Sequence, residues 1–440
     1  MFLVYSLLFS LGVVLTAPYY LWRLRGKIVS GAGWRERFGF LPRSFQQEEM
    51  GAIWVHAVSV GETLAVVGLV RALEQRYPGR KIFLSHITPA GREAGETRLP
   101  DLAGRFYLPL DWSCCIRRVL SRLRPALLVI VETELWPNLL RTAHESGARV
   151  VLVNARLSDR SLRRYRLIRP FMRRVLQNVD RICAQSARDA ERYRALGATS
   201  ERVVVTGNMK FDAAPPRAGE LSRLLGKALP LAQRSPVIVA ASTMPGEEAL
   251  LLPAWREIQR RHPRALLILA PRHPVRFDAV AELLVQEMGG CVRRTTLAAE
   301  EQEVASQLAS AEILLLDTIG ELAGIFELAD VVFVGGSLVP TGGHNLLEPA
   351  FWAKPIVFGP HMWNFRDIAQ LFLQAGAALQ VHDVQELSRI TLELLGNTAQ
   401  QRELGQAAKQ VLGNHAGATE RVLEQVKEWL DAGIPARARG

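Results

Sequence analysis

The chain has 440 residues, 49% of them apolar and 22% charged, which is too long for one compact core and too apolar for disorder, so two globular domains are expected. Its 54 Lys and Arg exceed its 43 Asp and Glu by 11, pointing to a polyanionic partner: nucleic acid, anionic lipid or a phosphorylated substrate. The cysteines, Cys114, Cys115, Cys183 and Cys291, include no CxxC pair, which argues against a zinc site or a disulfide framework.

Phe2 to Trp22 carries no charge, and at about 1.5 Å per residue such a helix could cross roughly 30 Å of hydrocarbon. Arg23, Arg25, Lys27, Arg35 and Arg37 follow, and Tyr19, Tyr20 and Trp22 suit an interfacial belt. An N-terminal membrane-anchor helix at 1–25 is therefore expected, with the remainder in the cytoplasm. The competing reading is an interfacial or re-entrant segment, because Ser, Thr and Pro18 dilute the run.

Beyond it, short apolar runs alternate with helical periodicity. The runs at 52–59, 81–88, 126–132, 148–154 and 202–207 predict strands buried on both faces, with an amphipathic helix at 62–77. Prolines 215, 216 and 236 bracket a stretch at 213–235 that reads as a connection. The pattern restarts with strands at 236–242, 264–271, 312–317, 330–336, 354–359 and 377–381, and closes with helices near 383–395, 399–412 and 416–432. The fold class is α/β, with two doubly wound Rossmann-like domains at 26–212 and 236–415 and a last helix, 416–440, placed to pack back on the first. In such sheets ligands bind beyond the carboxyl ends of the strands.

The post-strand loops are accordingly the candidate sites. In the first domain they carry Glu62 in "SVGE", Glu132 in "VETELWPN" and Lys210 in "TGNMKFD". Glu62 either starts the next helix or takes a proton in a cleft. In the second domain Ser242 and Thr243 precede a Pro-Gly turn, a capping box or a phosphate loop. Arg272 in "LAPRH" suits phosphate or carboxylate. Gly320 and Glu321 follow a strand. "VFVGGSLVPTGGHNLLEPA" (332–350) runs through two Gly-Gly pairs into a helix expected near His344, where Glu348 could accept the hydroxyls of a ribose. No Asp-x-Asp pair follows a strand and no G-x-S-x-G occurs, so neither metal-bound phosphate nor a serine hydrolase is indicated. Residues 155–177 hold eight Arg against one Asp. Arg163, Arg166, Arg169 and Arg173 recur at helical spacing among apolar residues, and Pro170 should split the helix. This reads as a solvated face or as docking to anionic lipid; no base-reading nucleic-acid module is evident.

The motifs "WVHAVSVGE", "VETELWPNL", "NARLSDRS", "GNMKFD", "APRH", "FVGGSLVPTGGHNLLEPA" and "GPHMWNF" together resemble the lipid A Kdo (3-deoxy-D-manno-octulosonic acid) transferases of Gram-negative bacteria, over practically the whole chain. The resemblance implies a GT-B fold with an interdomain cleft, on the cytoplasmic face of the inner membrane. It also implies inverting transfer of Kdo from CMP-Kdo to the tetraacylated glucosamine disaccharide bisphosphate (lipid IVA) in lipopolysaccharide biosynthesis. By the same resemblance Glu62 is the general base, with Ser59 and Gly61 beside it. Glu132 and Lys210 stabilise the transition state. CMP-Kdo is held by Ser242, Thr243, Pro271, Arg272, Ile319, Gly320, Glu321, Asn345, Leu346, Leu347 and Glu348. Ser59, Gly61, Arg163, Arg166 and Arg169 serve the acceptor or the membrane. No cofactor and no metal is expected. Met244 departs from the family, where many relatives carry His. The alternatives are another membrane-associated GT-B enzyme using a UDP-sugar and a non-catalytic anchored nucleotide-binding protein. Neither the number of Kdo residues added nor the oligomeric state is written in these motifs.

Overall fold

A computed structural model describes residues 1–24, 31–214 and 216–432, the side chains of 18–24 and 31–32 excepted. The chain divides into two compact units, one comprising Met1–Ala214 with His415–Gly440 and the other Pro215–Asn414.

The first unit is built on a seven-stranded parallel sheet. Its strands are β1 (Ala52–His56), β2 (Ile82–His86), β3 (Gly104–Tyr107), β4 (Pro125–Val131), β5 (Arg149–Ala155), β6 (Arg181–Ala184) and β7 (Val203–Val205), in the spatial order β3-β2-β1-β4-β5-β6-β7. Side chains alternate across the sheet as strand geometry requires. Trp54 joins Phe83, Phe106 and Leu128 in the core on one face, while Ile53 and Val55 join Val66, Leu69 and Leu127 on the other. With both faces covered, the strands read as unbroken apolar runs.

The last helix, Ala418–Asp431, belongs to this unit through Val422, Leu423, Val426 and Leu430 in the second of those cores. The Asp212 carboxylate accepts from the Gly417 and Thr419 amides at its start, where the helix dipole favours an anion.

The second unit repeats the plan with β8 (Val237–Thr243), β9 (Leu266–Pro271), β10 (Val292–Arg293), β11 (Ile313–Leu315), β12 (Val331–Val334), β13 (Ile356–Phe358) and β14 (Leu379–Gln380), in the order β10-β11-β9-β8-β12-β13-β14. Residues expected as a connection carry the helix Glu220–Leu231, whose Leu221, Leu225, Ala228 and Leu229 are buried. The helix expected near His344 starts at Leu347 and ends at Phe351. Pro170 does split the basic helix, into Asp159–Leu167 and Arg169–Leu176 with Ile168 between them.

The N-terminal expectation needs correction. Phe2–Leu24 is helical, but among the described residues no helix is long and apolar enough to cross a membrane, so a spanning anchor is not supported. Three polar residues of the run are engaged by the rest of the first unit. Tyr5 donates to Asp111 at 2.8 Å, Ser6 accepts from Asn138 at 2.9 Å and Ser10 accepts from Trp112 at 2.9 Å. Phe2 and Tyr5 pack on Phe171, and Phe9 packs on Trp112. Leu3, Val4, Leu7, Leu8, Leu11, Val14 and Leu15 remain exposed. The side chains of Tyr19, Tyr20, Trp22 and Arg23, and residues Arg25 and Lys27, lie outside the described residues.

Candidate active site

In each sheet the chain order reverses at the centre, between β1 and β4 in the first and between β8 and β12 in the second. Loops diverge at such a switch point and leave a crevice at the carboxyl ends of the strands. Glu62 follows β1, Glu132 follows β4, and Ser242 and Thr243 end β8, so these candidates sit at the two switch points.

Glu62 lies in the first turn of the helix Val60–Arg76, which follows β1 and is capped by Ser59. One carboxylate oxygen accepts the Val58 amide at 2.8 Å and the other the Ser59 hydroxyl at 3.0 Å. It therefore braces the helix start, the first of the two readings of this residue, and is itself half-buried. Its titration separates them. A carboxylate that only braced a helix start would be held low by the amides and the positive end of the dipole. Burial outweighs both hydrogen bonds here and, with the negative charges of Glu132 and Glu134 nearby, pushes the Glu62 carboxyl up to about 7. That is where a general base is most useful at neutral pH.

Glu132 follows β4 directly, with its backbone in the left-handed region at φ 56°. Its amide donates to Val153 of β5 at 3.0 Å, and its carboxylate accepts the Lys210 ammonium at 2.9 Å. Lys210 sits in the short 3-10 helix Met209–Asp212 after β7, where Asn208 accepts its amide at 3.0 Å. One carboxylate and one ammonium are therefore fixed as a pair beside the Glu62 carboxyl. Glu134, which the sequence reading passed over, joins them: it accepts the Trp136 indole N–H at 2.8 Å, and burial raises its carboxyl. Its signal was present in "VETELWPN", two residues from Glu132.

In the second unit Ser242 also adopts the left-handed region, at φ 56°, and Thr243 is buried. Of the two readings left open for this loop, the capping box is not formed: the cap of helix Glu247–Arg261 is Gly246, with no side-chain bond. Thr243 donates instead to Glu248 at 2.8 Å, and Arg276 grips that same fully buried carboxylate with two bonds of 2.7 Å. The neighbouring Glu247, also buried, accepts the amides of Gly336 at 2.6 Å, Ser337 at 3.1 Å and Leu338 at 3.0 Å, and that of Met244 at 3.1 Å. One side chain thereby ties the loop after β8 to the loop after β12. A Cβ on Gly335 would come within 2.8 Å of Glu247 and of Thr243, so only glycine lets these loops approach.

Pro271 ends β9, and the Arg272 amide donates to Thr243 at 3.0 Å while its side chain is exposed. Ile319 and Gly320 are exposed after β11, whereas Glu321 is held by a bidentate contact with Arg294 at 3.0 and 3.1 Å and by the Thr318 hydroxyl. Asn345 accepts the Leu347 amide and donates to Glu348, both at 3.1 Å. Leu346 and Leu347 are buried, so any contact they offer is through the backbone. Burial and the charges of Arg272 and His273 lower the His344 imidazole to about 4. Glu247, Glu248, Arg276 and Arg294 were not foreseen, since nothing in sequence marks which carboxylates a fold will bury.

Arg163, Arg166 and Arg169 are exposed on the split helix beside exposed Leu167 and Ile168, and do not join the Glu62 cluster. Among the described residues no group of three or more His, Cys, Asp or Glu is placed to hold a metal ion.

Comparison with known proteins agrees with this architecture. A family model described as 3-deoxy-D-manno-octulosonic-acid transferase (kdotransferase) matches residues 32–213. The 3-deoxy-D-manno-octulosonic acid transferase of Haemophilus influenzae is 36% identical over 401 residues, 91% of this chain and 92% of that protein. The one from Bordetella pertussis is 36% identical over 423 residues, 93% of this chain and 96% of that protein. Among solved structures, UDP-GlcNAc 2-epimerase from Neisseria meningitidis superposes with TM-score 0.56 at 14% identity, covering 86% of this chain and 100% of that one. A glycosyltransferase from Rickettsia africae gives 0.54 at 12%, covering 87% and 99%. At such identities these structures speak for the fold alone, which is GT-B-like. With the sequence relatives aligned over nine-tenths of their length, the chain belongs to the 3-deoxy-D-manno-octulosonic acid transferase family and is a glycosyltransferase.

Proposed function

We propose that this enzyme transfers Kdo, with inversion, from CMP-Kdo to the tetraacylated glucosamine disaccharide bisphosphate precursor of lipid A. The observation that carries the reading is the Glu62 carboxyl, pushed up to about 7 at the switch point beside the Lys210–Glu132 pair. Inversion at the anomeric carbon needs one in-line displacement and one base. Glu62 takes the proton of the acceptor hydroxyl as its oxygen bonds to the anomeric carbon. The bond from that carbon to the CMP phosphate oxygen breaks, and CMP leaves with the electron pair. The Lys210 ammonium, held by Glu132, stabilises negative charge in the transition state. For the donor, CMP is held by exposed Arg272 with Pro271, by Ile319, Gly320 and Glu321, and by the backbone of 345–347 with Glu348, and the Ser242–Thr243 loop faces the donor phosphate or the Kdo carboxylate.

The same reading places the protein on the cytoplasmic face of a bacterial inner membrane, lying in the interface rather than spanning it. In support, the outer face of helix Phe2–Leu24 is apolar from Leu3 to Leu15. Phe2 and Tyr5 pack against Phe171, in the helix that follows exposed Leu167 and Ile168 and carries Arg169, Arg173 and Arg174. Apolar side chains beside arginines suit an anionic lipid surface.

The test is a product assay with freshly generated CMP-Kdo and the tetraacylated disaccharide bisphosphate, read by mass spectrometry. A gain of one or more Kdo masses supports the reading and counts the transfers. Transfer from a UDP-sugar instead would keep the fold and change the donor. No transfer from any donor would favour a binding protein.

A further inference from the structure

We propose that Asn154 is a positioning residue, whose buried carboxamide sets where the Lys210 ammonium stands against Glu132. The proposal rests on the assignment of Lys210 and Glu132 to the displacement step.

A closed circuit of contacts carries it. The Asn154 side-chain oxygen accepts the Met209 amide at 3.0 Å. Asn208 accepts the Lys210 amide at 3.0 Å. The Lys210 ammonium donates to Glu132 at 2.9 Å, and the Glu132 amide returns to Val153, the residue before Asn154, at 3.0 Å. The 3-10 turn carrying Lys210 has four residues, Met209–Asp212, too few to fix its own position. The Asn154 oxygen joins it to the sheet where β4 and β5 end.

Asn154 is an expensive choice for that place. It is fully buried, its backbone is in the left-handed region at φ 51°, and its amide nitrogen finds no partner among the described residues. Residues 150 to 153 of the same strand are plain Val, Val, Leu and Val. An apolar residue there would avoid an unpaired buried donor. Asparagine is among the few residues that tolerate the left-handed region, and it adds an acceptor of the length needed to reach Met209. Strained backbone that other packing sustains is a mark of functional sites. Here two such residues, Asn154 and Glu132, end neighbouring strands.

Asn154→Gly keeps the left-handed backbone and removes the carboxamide, and with it the acceptor of the Met209 amide. Since displacement of a reacting group by about 1 Å costs on the order of a hundredfold in rate, kcat for Kdo transfer should fall about ten- to a hundredfold, with KM for CMP-Kdo changed less than about twofold. The double variant with Lys210→Ala should be no slower than Lys210→Ala alone, because both remove one device. Independently of turnover, Lys210 should be acetylated several-fold faster in Asn154→Gly, read by peptide mass spectrometry. Should Asn154→Gly not fold, Asn208→Ala breaks the next link at a half-buried site and should raise Lys210 labelling and lower kcat in the same direction. Unchanged labelling and unchanged kcat in whichever variant folds, or losses that multiply in the double variant, would overturn the proposal. If labelling rises while Lys210→Ala itself transfers Kdo at the full rate, the positioning stands and the catalytic assignment of Lys210 falls.

Discussion

Lys210 and Glu132 lie 78 positions apart in sequence and meet at 2.9 Å, each in a loop that leaves the carboxyl end of a strand of one sheet. The pair is partly shielded, with side-chain exposures of 22% and 17%, so each charge fixes the other more firmly than an exposed pair would. Removing either charge should leave donor binding intact and slow the chemical step. Lys210→Ala and Glu132→Gln are each expected to lower kcat about a hundred- to a thousandfold, the range for loss of one transition-state electrostatic contact, as measured by single-turnover transfer with excess enzyme.

Glu62 titrates near 7 because burial favours its neutral form. As the proposed base it would work only when ionised, so the rate should rise tenfold per pH unit below about 7 and level off above it. Glu62→Gln should abolish this limb and cost at least about a hundredfold in kcat/KM, with CMP-Kdo affinity retained. A pH–rate profile on the substituted and unsubstituted enzymes checks both; a flat wild-type profile between pH 5 and 8 would remove Glu62 from the mechanism.

The Ser59 hydroxyl bonds to the ionised form of Glu62 and so lowers its pKa against the effect of burial. Ser59→Ala should move the rising limb of the profile to higher pH, leaving the plateau within about threefold. A shift to lower pH would contradict the hydrogen-bond assignment.

Arg276 and Glu248 form the best-shielded ion pair of the second unit, with the carboxylate fully buried. Arg276→Ala leaves that carboxylate partnered by Thr243 alone. Stripping one partner from a buried pair typically costs about 3 kcal/mol, which should appear as a clear drop in the thermal unfolding midpoint. Replacing both members, with Glu248→Leu and Arg276→Leu together, should recover part of that loss.

Membrane engagement is expected to draw on charge and apolar surface together. Neutralising Arg163, Arg166 and Arg169 should weaken binding to vesicles containing anionic lipid and reduce its salt dependence. Leu7→Asp with Leu11→Asp should weaken binding at every ionic strength. Vesicle flotation separates the two effects, and unchanged flotation in both variants would exclude this face as the lipid contact.

Not every element was equally legible in the sequence. The strands with both faces covered, such as β1, β4, β5 and β8, announce themselves as apolar runs. By contrast β3, "GRFY", is only half-buried, β6, "RICA", is four residues long, and β10 is two residues with an arginine. In strands this short or only half-buried, the hydrogen bonds of a neighbouring strand, rather than composition, decide that a segment is extended. The N-terminal run misled for a related reason. Hydropathy counts Tyr5, Ser6 and Ser10 as minor polar interruptions, but their partners Asp111, Asn138 and Trp112 are over a hundred residues away.

What the sequence determined by itself was the alternating plan and the loops where chemistry could reside, because strand burial and the residues that end strands are local properties. It also placed Glu62, Glu132 and Lys210 in the stretches that follow strands. Only the tertiary structure decided that Glu62 is pushed toward neutrality while Lys210 is locked to Glu132, and that Asn154 and Glu247 hold the loops in place. Those outcomes depend on burial and on distances of about 3 Å between segments remote in the chain, and no local pattern encodes either.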